Sequence, residues 1–139
     1  MKIDTSTPFG ERVDRRLRDE LIGWLTTVGS DGTPQPSPIW FLWVDETFLI
    51  YSQPDTPKLR NIDRQARVSL HLDGDGQGGD IVVLTGEARI AAEQPRGDQV
   101  PAYVEKYQAG ITSLGMTPAA FADAYSVPIV LTPMTLRGH

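Results

Sequence analysis

The run Gln35-Pro36-Ser37-Pro38-Ile39-Trp40-Phe41-Leu42-Trp43-Val44 constrains the fold more than any other stretch. It reads as one strand with two apolar faces. Pro36, Pro38, Trp40, Leu42 and Val44 lie on one, and Ile39, Phe41 and Trp43 on the other. A strand covered on both sides belongs in a barrel or sandwich core, or at a subunit contact. Proline has no N–H for a ladder, so the first half must be an edge or a bulge. Where a strand stops pairing with its own sheet, its backbone groups become free for a ligand. Ordinary core packing is the plain alternative for Trp40, Phe41 and Trp43.

A second stretch suggests what such a ligand would be. Phe48 to Ser52 reads as a strand that stops before Pro54. A helix then starts, with Thr56 as its N-cap and Pro57 in its first turn, where a missing N–H costs nothing. Helix starts offer unpaired N–H groups and a partial positive charge, which suits a phosphate. Lys58 stands at that start and Arg60 follows, while the only other lysines are Lys2 and Lys106. The turn is expected to hold the phosphate of a flavin-like cofactor. The alternative is a capped helix with two solvated cations. Leu59 and Ile62 should point inward, which places Lys58 and Asn61 on a different face.

The remaining chain reads in order as follows. Thr7-Pro8 opens an amphipathic helix with Phe9, Val13, Leu17 and Leu21 on one stripe. Its arginines lie among acids and read as a solvated, ion-paired face. Gly23 to Gly29 is a strand, and Asp31-Gly32 marks a hairpin. Val44-Asp45-Glu46-Thr47 is another tight turn. Arg67 to Leu72 alternates as a strand, with His71 on its polar side. The glycine-rich segment 73–80 matches G-x-G-x-x-G, but a strand follows where a dinucleotide site needs a helix. It also lacks the closing Glu of a calcium loop, so it reads as a hairpin connection, with a lid as the other option. Ile81 to Ile90 is a strand with a bulge or close backbone approach at Gly86. Asp98 to Gln108 is expected to be helical with Val100, Val104 and Tyr107 inward; Pro101 lies in its first turn, or the helix starts there. Thr117-Pro118 opens a helix with Phe121 and Tyr125, and Val127 to Leu136 returns as a strand in which Pro133 requires an edge or bulged position. The pattern is helix, three strands, helix, two strands, two helices, strand. It fits one domain over 1–139, a small antiparallel barrel with helices packed outside.

Composition narrows the chemistry. The chain has no cysteine, which removes thiolate nucleophiles, disulfides and cysteine metal sites and fits a cytoplasmic location. Two histidines are too few for a histidine metal centre without carboxylates. The net charge of −5 argues against a general nucleic-acid binder. No apolar run approaches the roughly 20 residues of a membrane span, and Met1 to Arg18 lacks the apolar core of a signal peptide. No serine–histidine pair, carboxylate dyad or other catalytic set is evident, so a bound cofactor would have to carry any chemistry.

Taken together, several motifs in order resemble the split β-barrel flavin family that includes the pyridoxamine 5′-phosphate oxidases. They are Leu25 through Gly32-Thr33-Pro34 to Phe41, Ser52 through Lys58-Leu59-Arg60-Asn61-Ile62, Arg67-Val68-Ser69-Leu70, and Gly86-Glu87-Ala88. Within that family the chain looks most like the B-type flavin/deazaflavin oxidoreductases known from actinobacteria. The resemblance implies a mainly β fold, a six-stranded antiparallel split barrel of the FMN-binding type. It further implies a homodimer with the cofactor in the groove between subunits. Ser52, Thr56, Lys58, Arg60 and Asn61 would hold the cofactor phosphate or its acidic tail. Ser37, Pro38, Ile39 and Trp40 would meet the ring. The pyridoxamine phosphate oxidases carry a late basic cluster, whereas here Arg137 is the only assured cation near the end. That departure favours the branch using coenzyme F-420, with hydride passing to a small conjugated or quinone-like acceptor. An FMN-dependent oxidase or reductase, and a cofactor- or haem-binding carrier without turnover, are the competing expectations.

Overall fold

The computed structural model describes residues 1–139. Helix α1 (Pro8–Asp19) is followed by strands β1 (Gly23–Val28), β2 (Pro34–Ile39), β3 (Leu42–Val44) and β4 (Thr47–Ser52). Then come α2 (Pro57–Arg64), β5 (Arg67–His71), β6 (Val82–Ile90), a short 3-10 turn (Gly97–Gln99), α3 (Pro101–Ser113), α4 (Pro118–Ala124) and β7 (Val127–Gly138). The seven strands form one antiparallel sheet in the order β2-β1-β5-β6-β7-β4-β3. Its two edge strands are consecutive in the chain, with only Trp40 and Phe41 between them. Ile39 and Leu42 can therefore be no more than about 11 Å apart, so the sheet must curl until its edges nearly meet. The result is an open half-barrel with helices around it.

The six-strand expectation is corrected to seven, because Gln35–Val44 is not one strand. The reason lies in α3. The Phe41 N–H donates to the Tyr107 hydroxyl at 2.7 Å, and Phe41 O accepts from Lys106 Nζ at 2.8 Å. The break is thus satisfied by side chains instead of by a ladder. The expectation of two covered faces also moves. Pro34, Gln35, Pro36 and Pro38 are exposed, and β2 is an edge as its prolines require. The doubly covered strand is β4. Phe48 and Ile50 face the barrel core with Leu25, Leu70, Leu84 and Ile129, while Leu49 and Tyr51 face a second cluster under α3 and α4.

Helix α1 plugs the barrel with Val13 and Leu17. Leu21, placed on the same stripe from its spacing, is 52 % exposed because the helix ends at Asp19 and the chain extends from Glu20. The arginine face is ion-paired as expected through Arg15–Glu11 and Arg18–Asp14. Arg16 is the exception. It is 11 % exposed and donates to the carbonyls of Asp73 and Asp80, which ties the 73–80 loop to α1.

Turn chemistry follows the residues. Gly32 takes φ +86°, and Asp45 and Glu46 both adopt positive φ in the two-residue turn between β3 and β4. The ladder between β6 and β7 shifts register at Thr85/Gly86, opposite Pro133. A Cβ on Gly86 would lie 2.1 Å from Thr132 O, so both expected features, bulge and close approach, occur together. Helix α3 starts at Pro101, one of the two placements its proline allows. Its buried face is consequently Tyr103, Tyr107 and Ile111, with Val100 as the cap and Val104 only partly buried.

Candidate functional site

A cavity of about 400 Å³ opens where the ends of β2 and β4, the start of α2 and the α3–α4 hairpin converge. From the sheet side it is lined by Pro38, Ile39, Trp40, Tyr51 and Ser52; α2 and the turn before it supply Gln53, Thr56 and Lys58. The helical hairpin supplies Tyr103, Leu114, Phe121 and Tyr125, and Ile22 completes the wall. Six of the nine residues expected at a cofactor site therefore come together here. Ser37, Arg60 and Asn61 do not line it.

Those three have other surroundings. Ser37 is half-buried within β2 opposite Leu25. Arg60 is exposed and donates to Asp55 O at 2.9 Å, closing the turn before α2. Asn61 was expected on a different face from Leu59 and Ile62, together with Lys58, and it is only 6 % exposed. Its amide donates to Thr27 Oγ1 at 3.0 Å and Gln35 Oε1 at 2.8 Å, and its carbonyl accepts from Arg64. The β1–β2 hairpin folds against α2, and Asn61 satisfies its polar groups.

The turn into α2 differs from a standard cap. Thr56 is the N-cap residue, but its side chain makes no cap bond. Ser52 donates to Gln53 O at 2.8 Å, so the 3.1 Å contact between Ser52 and Thr56 has Thr56 as donor. The two hydroxyls thus brace the turn from which Lys58 projects. Lys58 is half-buried and burial lowers its pKa, with no acidic partner to offset the desolvation. No carboxylate lines the cavity, and Lys58 is its only cation.

The opposite wall is aromatic. Trp40 lies between Tyr107, at 4.6 Å and 5° between planes, and Phe121, at 5.2 Å and 18°. Phe121 in turn stacks on Tyr125 at 4.4 Å. Tyr51 and Tyr103 meet edge to face at 5.0 Å. Burial raises the pKa of Tyr51 to about 12, and raises those of Tyr103 and Tyr107 as well, so all three stay neutral near pH 7. Sequence reasoning placed Trp40 in the site but missed Tyr51, Tyr103, Phe121 and Tyr125 as its partners. Tyrosines four apart at 103 and 107, on one face of the expected helix, were the available signal.

Lys106 props this wall from behind. Its ammonium sits 3.9 Å over the Phe41 ring and 5.4 Å over that of Tyr107, besides bonding Phe41 O. Burial lowers its pKa from 10.5 to about 8, against the opposing pull of Asp19 and Glu20. The unfolded chain therefore keeps this proton to higher pH than the folded one. Stability should rise with pH from about 8 toward 10.5. Lys58 contributes in the same direction, while unfolded tyrosines, ionising near 10, reverse the trend above that. Denaturant melts at pH 7.5 and 9.5 check this: Lys106→Met should flatten much of the rise, and an unchanged slope would refute the assignment.

No helix is long and apolar enough to cross a membrane. No group of three or more histidine, aspartate or glutamate side chains could hold a metal ion.

The fold has counterparts among solved structures. A structure described as an F420 reductase is 27 % identical over 89 % of this chain and 94 % of that one, with a TM-score of 0.70. General Stress Protein 26 of Bacillus anthracis is 18 % identical, covers 91 % of this chain and 89 % of its own, and has a TM-score of 0.68. HutZ, the haem storage protein of Vibrio cholerae, is 12 % identical over 99 % and 95 % of the two chains, with a TM-score of 0.63. At these identities the last two share the fold alone. No curated protein matches the chain in sequence. The sequence model described as pyridoxamine 5′-phosphate oxidase matches residues 9–138, nearly the whole chain. The chain belongs to the pyridoxamine 5′-phosphate oxidase family, whose split barrel also serves flavin- and deazaflavin-binding oxidoreductases.

Proposed function

We propose that this protein is an oxidoreductase that binds a flavin-type cofactor by its phosphate, FMN or coenzyme F-420, and passes hydride to or from a small conjugated acceptor. One observation carries the reading. Lys58 holds a desolvated charge at a helix start, in a cavity without a single carboxylate. Such a charge gains most from an anionic ligand. A reduced cofactor of this class supplies hydride from its ring when bound.

The chain's own residues fit that group. Lys58 neutralises the phosphate, and the Ser52 and Thr56 hydroxyls can turn toward it. Pro38, Ile39 and Trp40 form a wall for the ring, held in place by the α3 aromatics. Ser37 lies outside the cavity and would act only by holding β2 against β1, opposite Leu25. Arg60, exposed beside Asp55, is placed to meet an acidic tail extending beyond the cavity. Asn61 acts through position, locking α2 to the β1–β2 hairpin. A second copy of the chain would close the groove over the ring, and its residues would complete the acceptor pocket.

Membership of the oxidase family supports FMN, whereas the 27 % identical reductase supports F-420. Titration of the purified protein with FMN, F-420 and riboflavin, followed by fluorescence, decides between them. The expected result is saturable binding of one phosphate-bearing cofactor and much weaker binding of riboflavin, which lacks the phosphate. Binding of neither cofactor would overturn the proposal. A Soret band on adding haem, without cofactor binding, would favour the carrier reading.

A further inference from the structure

One buried polar atom beside the cavity is used by nothing in the fold. Tyr103 is 1 % exposed, and the residue lines the cavity, yet its hydroxyl has no hydrogen-bond partner. Buried hydroxyls are nearly always paired, so an orphan in a native protein needs an explanation. Phenylalanine would fill the same space without leaving a polar group unsatisfied.

The neighbouring tyrosines sharpen the contrast. Tyr51 lines the same cavity, but its hydroxyl donates to Pro95 O at 2.6 Å. The Tyr107 hydroxyl is engaged with Phe41 and Leu21. The other buried atom without a hydrogen bond, Asp80 Oδ1, is ion-paired with Arg16 at 3.1 Å and Arg12 at 3.2 Å. Tyr103 alone has no partner of any kind.

Its surroundings define what would satisfy it. Tyr51 stands edge-on at 5.0 Å and Phe121 lies 6.4 Å away, between the rings of Trp40 and Tyr125 in a near-parallel stack. Aromatic walls favour a flat apolar body. A neutral O–H favours one uncharged oxygen acceptor on that body. Lys58, the only cation in the lining, belongs to the turn before α2 and the anion it holds.

We propose that Tyr103 is a specificity-determining residue: when a flat conjugated acceptor parts the aromatic side chains that cover it, its hydroxyl donates a hydrogen bond to a carbonyl oxygen of that acceptor, selecting carbonyl compounds over hydrocarbons of the same shape. The word acceptor rests on the redox reading above; the selection itself does not.

The test compares menadione with 2-methylnaphthalene, which keeps the fused rings and lacks the oxygens. Binding is measured by calorimetry on the purified protein, alone and saturated with whichever of FMN or F-420 it takes. Tyr103→Phe should lower the ratio of menadione to 2-methylnaphthalene affinity by about fivefold or more relative to wild type. Its Tm without ligand should stay level or rise. Tyr51→Phe, which breaks an existing bond to Pro95 O, should by contrast lower the ligand-free Tm. An unchanged ratio in Tyr103→Phe overturns the proposal. A clear fall in its ligand-free Tm also overturns it, because the hydroxyl would then already have a partner such as a buried water. Failure of the redox reading looks different: neither FMN nor F-420 binds, whatever the menadione ratio.

Discussion

Replacing Lys58 with alanine should weaken cofactor binding at least about tenfold and leave the fold intact. A charge-assisted contact of this kind contributes roughly 1.5–3 kcal/mol, and about 1.4 kcal/mol already amounts to tenfold. The fold should survive because Lys58 makes no ion pair, and its partial burial disfavours the charged form. Removing it relieves a desolvation cost, so Tm without ligand should hold or rise. Lys58→Arg keeps the charge and should retain most of the affinity. The pH dependence has a definite sign. Burial lowers the Lys58 pKa, and an anion beside it raises that pKa again. Binding should therefore take up a proton where free Lys58 has begun to deprotonate, and affinity should fall as pH rises through its lowered pKa. Titrations in buffers of different ionisation enthalpy measure the uptake. Wild-type affinity in Lys58→Ala would remove this lysine from the site.

Tyr107→Phe should destabilise the protein by roughly 2–4 kcal/mol, and it should also loosen the ring wall. The hydroxyl accepts from the Phe41 N–H at 2.7 Å and has Leu21 O at 2.8 Å and Phe41 O at 2.9 Å as acceptors. Phe41 O already receives Lys106, so the single hydroxyl proton is best used on Leu21 O. Without the hydroxyl, a buried N–H and a carbonyl each lose a partner, at about 1–3 kcal/mol apiece. The rings would still stack on Trp40, because phenylalanine keeps the face. A lowered denaturation midpoint together with weaker cofactor binding is the expected pair of results. A midpoint unchanged from wild type would show that the chain break does not depend on this hydroxyl.

These two residues also mark how far the sequence was legible. Lys58 was readable because its signal is local: a cap, a proline and a scarce cation within three positions. The turns at Gly32 and Gly86 were readable for the same reason, since backbone geometry there admits few residues. Tyr107 was foreseen as buried, but not as the support of a strand break 66 positions away. No local pattern shows where a hydroxyl will cap a distant backbone group. The continuous apolar run hid the break at Trp40-Phe41, because both halves look like strand. Asn61 failed for a related reason. Helical spacing gave it a face, but only the β1–β2 hairpin decides that this face is covered. The six residues that do gather at the cavity lie at the ends of β2 and β4 and the start of α2; the end of β4 and the start of α2 were legible as terminations, and the end of β2 was not. The tyrosines opposite come from α3 and α4, which reach the cavity only through tertiary packing.

The exposed edge strand β2 has a consequence for self-association. Its prolines alternate at 34, 36 and 38, and they pair with Val28, Thr26 and Trp24. Having no N–H, they cannot occupy the positions that exchange bonds with β1, so Gln35, Ser37 and Ile39 must. The amide positions of the prolines consequently face outward, where they offer carbonyls and no donors. A foreign strand arriving there would find half of every rung missing. The side of the sheet most accessible to a stray chain is thus the side least able to template one.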